Sequence, residues 1–146
     1  MKNKIDFLID RVEKQNPAAN ITKIKAAYEF AETAHWGQKR KNGDPYIIHP
    51  VAVAEIIVEM GLDTDSIAAG LLHDCIEDTE YDYKAIENRF GTTVADLVDG
   101  VTRLGMIRYS KEQEQMEDLR KMFMAMAKDI RVILIKLADR LHNMRT

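Results

Sequence analysis

Apolar residues recur at the three- and four-residue spacing of an α-helix along most of this chain, and the alternation of a β-strand is almost absent. Helix-breaking residues are sparse, with 7 glycines and 3 prolines in 146 residues, and they mark breaks between the periodic segments. The pattern therefore predicts an all-α fold. Eight helices are predicted, over residues 5–14, 21–36, 50–60, 65–78, 83–90, 94–102, 111–127 and 130–143.

The composition fits one domain with a sizeable core, because 46% of the residues are hydrophobic. The net charge of −3 disfavours a globally basic nucleic-acid binder. No apolar run is long enough to cross a bilayer, and the single cysteine, Cys75, excludes an internal disulfide and fits a reducing compartment. We therefore expect a soluble, cytoplasmic domain with no nucleic-acid or membrane partner.

The fourth predicted helix carries an unusual polar face. Gly70, His73, Asp74 and Glu77 follow one another at helical spacing, where a surface helix normally carries lysine, arginine and glutamate. An imidazole and a carboxylate that start from adjacent residues could reach one divalent cation, which accepts mixed nitrogen and oxygen ligands. A His-Asp pair often arises by chance, so the context must support a metal site.

The last predicted helix repeats this pattern, with Asp139, His142, Asn143 and Thr146 at the same spacing. Its inward-packing stripe is predicted to consist of Ile130, Ile133, Leu134, Leu137, Ala138 and Leu141. A carboxylate among apolar residues needs a partner or a metal. The alternative to a metal is an ion pair with an arginine, and three are candidates: Arg103, Arg140 and Arg145.

His49 is the third candidate ligand, because it stands directly before Pro50, the predicted start of the third helix. The alternative is a histidine that only packs there. His35 is predicted to be a helix-end residue, and His142 a residue that supports the ligands or lies on the surface.

Two charged groups flank these candidates. The triplet Lys39-Arg40-Lys41 lies in a predicted loop over residues 37–48, where it could attract phosphates or simply be solvated. Glu77 and Asp78 stand at a predicted helix C-terminus, which disfavours negative charge, so a role in orienting or deprotonating water is favoured. The residues alone thus indicate an α-helical, metal-dependent phosphohydrolase.

Three segments resemble one known family. GQKRKNGDPYIIHP at 37–50, LLHDCIEDT at 71–79 and KLADRLHNMRT at 136–146 are similar to motifs of the hydrolase domain of RelA/SpoT-type alarmone enzymes, which belongs to the HD phosphohydrolase superfamily. The motifs come in the family's order, and the likeness runs from about Ile21 to the last residue.

The resemblance implies an HD-type helical bundle that hydrolyses the 3′-pyrophosphate of ppGpp and pppGpp to GDP or GTP and pyrophosphate. It implies four ligands of a divalent metal, usually Mn²⁺: His49, His73, Asp74 and Asp139. It implies an acidic pair that handles the attacking water: Glu77 and Asp78. It implies four contacts to the guanine nucleotide: Arg40, Lys41, Asn143 and Thr146.

The resemblance also implies that the chain is a fragment of a longer enzyme, with the synthetase and regulatory domains outside it. Two alternatives stay open at this point. The domain could act on another nucleotide, or it could be an inactive fragment that binds a metal or a nucleotide. The sequence does not predict an oligomeric state.

Overall fold

The computed structural model describes residues 4–78, 82–105, 120 and 129–145, and the side chains of Glu77 and Asp78 are not among the parts described. Eight helices and no β-strand occur in these ranges, which confirms the all-α class. The helices are α1 (Lys4–Gln15), α2 (Ile21–Ala34), α3 (Ile48–Glu59), α4 (Thr64–Leu72), α5 (Cys75–Asp78), α6 (Tyr83–Phe90), α7 (Thr92–Gly105) and α8 (Ile130–Arg145). Apart from residue 120, the predicted helix over 111–127 lies outside the described residues.

Helix α4 is the centre of the bundle, and it packs against α2, α3, α7 and α8. Every residue from Ser66 to Leu72 is buried, so this helix has no solvent-facing side beyond its first two residues. A helix that is apolar on most sides must be surrounded by others to bury that surface. The core around it contains large, fully buried side chains from several helices: Leu8, Ile24, Ile57, Leu71, Leu72, Leu97 and Ile135.

The prediction of one continuous helix over 65–78 is wrong. Helix α4 ends at Leu72, a turn contains His73 and Asp74, and the short α5 follows. The His73 ring explains the break, because its Nδ1 lies 2.7 Å from the carbonyl oxygen of Gly70 and donates to it. The side chain thereby satisfies one of the last carbonyl groups of the helix, which have no backbone partner within α4.

The other boundaries differ from the prediction by a few residues. Helix α2 ends at Ala34, α3 begins at Ile48 rather than at Pro50, and α7 extends over Thr92–Gly105. The predicted loop over 37–48 is confirmed as far as residue 47, and an isolated antiparallel bridge between Lys39 and Pro45 closes it. Among the helices of the described residues, none is both long and apolar enough to cross a membrane.

Helix α8 is rotated relative to the predicted orientation. Ile130, Leu137 and Leu141 are exposed, although they were expected to pack inward. Ala138 is buried as predicted, and Ile133 and Leu134 are half-buried. The rest of the buried face consists of Val132, Ile135 and Asp139. This face packs against α3 and α7. Because this face is buried and Leu137 and Leu141 are exposed, the carboxylate of Asp139 lies in the protein interior.

Gly100 allows α7 and α8 to approach closely, because a Cβ there would lie 2.7 Å from Cγ2 of Val132. Val132 is buried and β-branched, so its side chain has little freedom to move away. We expect Gly100→Ala to lower the free energy of unfolding by about 1–2 kcal/mol, measured by urea denaturation, despite the higher helix propensity of alanine. Asp99→Ala, on the same helix, is the control and should change stability by less than about 0.5 kcal/mol. Equal or greater stability of Gly100→Ala would contradict the tight contact.

Candidate metal centre

Two helix ends and the buried face of a third helix bring the predicted metal ligands together. His49 lies in the first turn of α3, His73 and Asp74 lie in the turn after α4, and Asp139 lies on the buried face of α8. Nε2 of His49 lies 2.8 Å from Oδ1 of Asp139, 90 residues away in the sequence. Nε2 of His73 lies 3.0 Å from Oδ2 of Asp74 and 3.4 Å from Oδ1 of Asp139. The four residues therefore form one cluster, and their role as metal ligands stays a prediction.

The geometry of this cluster suits a metal ion. Ligand atoms of His49, His73 and Asp74 all lie within 4.8 Å of one another. The nitrogen that His73 does not use toward Gly70 is Nε2, a buried atom with no well-aligned hydrogen-bond partner among the described residues. In the neutral ring this atom carries a lone pair, and it faces the carboxylates of Asp74 and Asp139. A cation bound there would relieve the repulsion between the lone pair and the carboxylates, so the donor set fits a divalent metal.

A proton can serve as that cation. Burial alone would lower the pKa of His73, but the charge of Asp74 and the carboxylate oxygens of Asp74 and Asp139 next to Nε2 raise it to about 10. Burial likewise opposes ionisation of Asp74, yet the charge of His73 lowers its pKa to about 2. Hydrogen bonds with His49 and His73 also hold the pKa of Asp139 well below its usual range, against the effect of burial. A metal and a proton therefore compete for the same place.

The basic side chain that pairs with Asp139 is that of a lysine. Nζ of Lys136 lies 2.9 Å from Oδ2 of Asp139, one helical turn away on α8, so the alternative of an arginine partner is wrong. The sequence contains the signal for this pair, because residues three apart on a helix are neighbours. Lys136 engages Oδ2, whereas Oδ1 faces the two histidines.

His142 contacts a predicted ligand directly. Its Nδ1 lies 2.7 Å from Nδ1 of His49, and the two rings stack with centroids 5.0 Å apart. One of these two nitrogens must carry the hydrogen, and His49 can ligate a metal through Nε2 only when its own Nδ1 carries it. The contact agrees with the predicted supporting role of His142.

Tyr46 is a site residue that the sequence analysis missed. Its hydroxyl donates to Oδ2 of Asp74 at 2.5 Å. Tyr46 lies in the loop before α3, where no periodicity reveals which way a side chain points. Its place three residues before His49, inside the motif at 37–50, is the only sequence signal for a role at the candidate site.

The loop with the basic triplet Lys39-Arg40-Lys41, here called the basic loop, is linked to the cluster through Arg40 and Asn143. Nη2 of Arg40 donates to Oδ1 of Asn143 at 3.3 Å, and Nδ2 of Asn143 donates to Oδ1 of Asp139 at 3.3 Å. Lys41 lies on the exposed side of the loop. Thr146 and the side chains of Glu77 and Asp78 lie outside the described residues, although helix α5, to which the acidic pair belongs, directly follows Asp74.

A family model described as an HD domain matches residues 27–146. The chain belongs to the HD-domain family. The SpoT protein of Escherichia coli, named a bifunctional (p)ppGpp synthase/hydrolase, is 54% identical over 131 residues, which are 89% of this chain and 19% of that protein. A GTP pyrophosphokinase of Streptomyces coelicolor is 55% identical over 128 residues, 88% of this chain and 15% of that protein. The resemblance to RelA/SpoT-type enzymes is thereby confirmed.

A third relative, from Aquifex aeolicus, is named a guanosine-3′,5′-bis(diphosphate) 3′-pyrophosphohydrolase. It is 54% identical over 123 residues, 84% of this chain and 17% of that protein. The chain thus spans less than a fifth of the length of these curated relatives. A solved structure of a metazoan SpoT ortholog, described as hydrolysing ppGpp, is 34% identical with a TM-score of 0.67 and covers 84% of this chain and 68% of that chain.

Proposed function

We propose that this HD domain hydrolyses the 3′-pyrophosphate of ppGpp and pppGpp, and that Mn²⁺ is its metal. The observation that carries the proposal is the buried Nε2 of His73, which faces the carboxylates of Asp74 and Asp139 beside His49. Such a cluster suits a divalent cation. It also lies next to the basic loop, because Arg40 contacts Asn143 and Asn143 contacts Asp139. The names of the relatives from Escherichia coli and Aquifex aeolicus support the choice of substrate.

His49, His73, Asp74 and Asp139 would hold the metal, since two neutral imidazoles and two carboxylates balance the charge of a divalent ion. When bound, the metal supplies Lewis-acid polarisation of the phosphoryl group and lowers the pKa of water. Mn²⁺ is proposed because the RelA/SpoT-type domains that the chain resembles usually contain it. Lys136 and Asn143 would keep Asp139 oriented through their contacts with its two oxygens.

Glu77 and Asp78 are proposed to handle the attacking water, by orienting it and by taking its proton on one of the two carboxylates. Water attacks the phosphorus attached to the 3′ oxygen, and the bond between that oxygen and phosphorus breaks. The 3′ oxygen takes up a proton, so the products are GDP or GTP and pyrophosphate. General acid–base help of this kind typically contributes 10²–10⁴-fold to a rate.

Arg40 and Lys41 are proposed to bind the guanine base and the phosphates, with Asn143 and Thr146 as further nucleotide contacts. Arg40 supports this assignment, because Asn143 holds its guanidinium next to the cluster. A guanidinium plane can stack on a purine ring and can also bond a phosphate with two N–H groups.

The direct test is incubation of the purified chain with ppGpp, with Mn²⁺ and with a chelator, and separation of the products by chromatography. We expect pyrophosphate and GDP in equal amounts with Mn²⁺, and neither with the chelator. Orthophosphate as the product would assign a different bond. A chain that binds Mn²⁺ at the cluster but releases nothing from ppGpp or pppGpp would contradict the proposed activity.

Arg40→Ala should lower kcat/KM for ppGpp by about 10- to 100-fold, because one charged hydrogen bond or a cation–π contact is lost. Lys39→Ala is the matched control, since it removes the same charge from an exposed position of the same loop. The adenosine analogue with the same phosphates measures base recognition. If Arg40→Ala affects neither substrate more than Lys39→Ala does, Arg40 does not read the nucleotide.

A further inference from the structure

His35 is a buried histidine that the proposed reaction does not use. Only 3% of it is exposed, and it caps the C-terminus of α2. Its Nδ1 lies 3.0 Å from Oε1 of Gln38, an acceptor, so Nδ1 carries the hydrogen and donates it. Its Nε2 points toward Sγ of Cys75 at 3.9 Å. Both nitrogens thus face protein groups, and the ring is fixed in one orientation.

The fixed ring of His35 packs against Tyr46. The two ring centroids are 4.7 Å apart, with 36° between the planes. The backbone holds Tyr46 as well, because its N–H donates to the carbonyl of Gln38 at 3.0 Å and its carbonyl accepts from the N–H of His49 at 3.0 Å. Gln38 therefore contacts both aromatic residues, through its side chain to His35 and through its backbone to Tyr46.

The hydroxyl of Tyr46 ends this chain of contacts at the metal centre, on Oδ2 of Asp74. The same oxygen lies 3.0 Å from Nε2 of His73 and 3.8 Å from Nε2 of His49. Rotation of the Asp74 carboxylate would change which oxygen faces the two histidines, and a hydroxyl donor on Oδ2 opposes that rotation. Outer contacts of this type set the orientation of metal ligands.

We propose that His35 is a positioning residue of the metal centre, acting on Asp74 through the ring and hydroxyl of Tyr46. The inference rests on the proposed metal site and extends it to a residue that lies outside the group of candidate ligands. The imidazole ring of His35 acts through its flat surface, which packs against the ring of Tyr46. The nitrogens serve to hold the ring in place.

The test is a double-mutant cycle read by metal affinity. Mn²⁺ binding is titrated by electron paramagnetic resonance, and Co²⁺ absorption reports the ligand geometry. Tyr46→Phe keeps the ring but loses the hydroxyl, and we expect about tenfold weaker Mn²⁺ binding. His35→Ala should weaken binding to a similar extent. Because both changes act through one hydroxyl, the double variant should bind no more weakly than Tyr46→Phe alone.

Two further variants separate positioning from general loss of stability. His35→Phe presents a ring face to Tyr46 but loses the two nitrogen contacts that orient the ring, so it should bind Mn²⁺ more tightly than His35→Ala and within about threefold of the wild type. Phe90→Leu disrupts another buried aromatic pair, Phe30 and Phe90 at 5.6 Å, and it should lower Tm in the metal-free state without weakening Mn²⁺ binding. His35→Phe also serves if His35→Ala does not fold.

The outcomes distinguish this inference from the proposed function. Additive losses in the double variant, equal losses in His35→Phe and His35→Ala, or wild-type affinity in Tyr46→Phe would each overturn the role of His35. A wild-type chain that binds neither Mn²⁺ nor Co²⁺ at this site would overturn both proposals. Weaker binding in Phe90→Leu would show that affinity follows stability alone, and it would also overturn the role of His35.

Discussion

Replacing Asp139 by asparagine should lower Mn²⁺-dependent pyrophosphate release by about a thousandfold or more, which corresponds to at least about 4 kcal/mol. The shape of the side chain is kept, but its charge is lost from the position that faces His49 at 2.8 Å and His73 at 3.4 Å. Two imidazoles and one carboxylate would then face the divalent ion, so its affinity should fall together with kcat. The measurements are initial rates with ppGpp and a Mn²⁺ titration.

Asp99→Asn is the matched control for this prediction, because it makes the same chemical change on α7. Asp99 pairs with Arg103 at 2.8 Å on an exposed part of the helix, away from the cluster. Its rate and metal affinity should equal those of the wild type. An Asp139→Asn enzyme that keeps more than about a tenth of the wild-type rate at saturating Mn²⁺ would remove Asp139 from the proposed ligand set.

The metal-free protein should lose stability as the pH rises from 7 to 9. The pKa of His73 is raised from 6.5 to about 10 in the folded state, so the folded chain holds a proton that the unfolded chain has already lost. The free energy of unfolding then falls by up to about 1.4 kcal/mol per pH unit. The carboxylates of Asp74 and Asp139 have lowered pKa values and stay ionised throughout, so they add no slope in this window.

Urea denaturation at several pH values, in a chelator and in Mn²⁺, measures this slope. In Mn²⁺ the metal replaces the proton, so the slope should nearly vanish below pH 9, and the apparent affinity for Mn²⁺ should rise by up to tenfold per pH unit. In His73→Gln the free energy of unfolding should not fall with pH through loss of the His73 proton, either in the chelator or in Mn²⁺. A metal-free slope that persists in His73→Gln would assign the effect to another group.

Helical spacing predicted much of the fold and several members of the candidate site. The apolar period identified the all-α class, and the spacing of Asp139, His142 and Asn143 placed three site residues on one face of α8. His49 was a candidate because it stands directly before Pro50, and the motif resemblance then favoured a ligand over a histidine that only packs. These features are local in the sequence, so a pattern within one segment is enough to reveal them.

The features that were missed depend on contacts between segments. Which side of α8 is buried is decided by α3 and α7, so Leu137 could be apolar and still be exposed. The break after Leu72 depends on a side-chain hydrogen bond from His73, which competes with the continued backbone pattern of the helix. The contact of Tyr46 with Asp74 joins residues 28 positions apart. No periodic signal within one segment carries such information.

The bond from His73 to the Gly70 carbonyl has an evolutionary consequence. One imidazole both ends α4 and faces the metal position, so a change at His73 damages the architecture together with the chemistry. Asp139, by contrast, can lose its charge while keeping its volume. We expect lineages that retain this domain only as a scaffold to abandon the carboxylate on α8 first and to keep the histidine longest. A surviving His73 is therefore weak evidence of activity, whereas a surviving Asp139 is strong evidence.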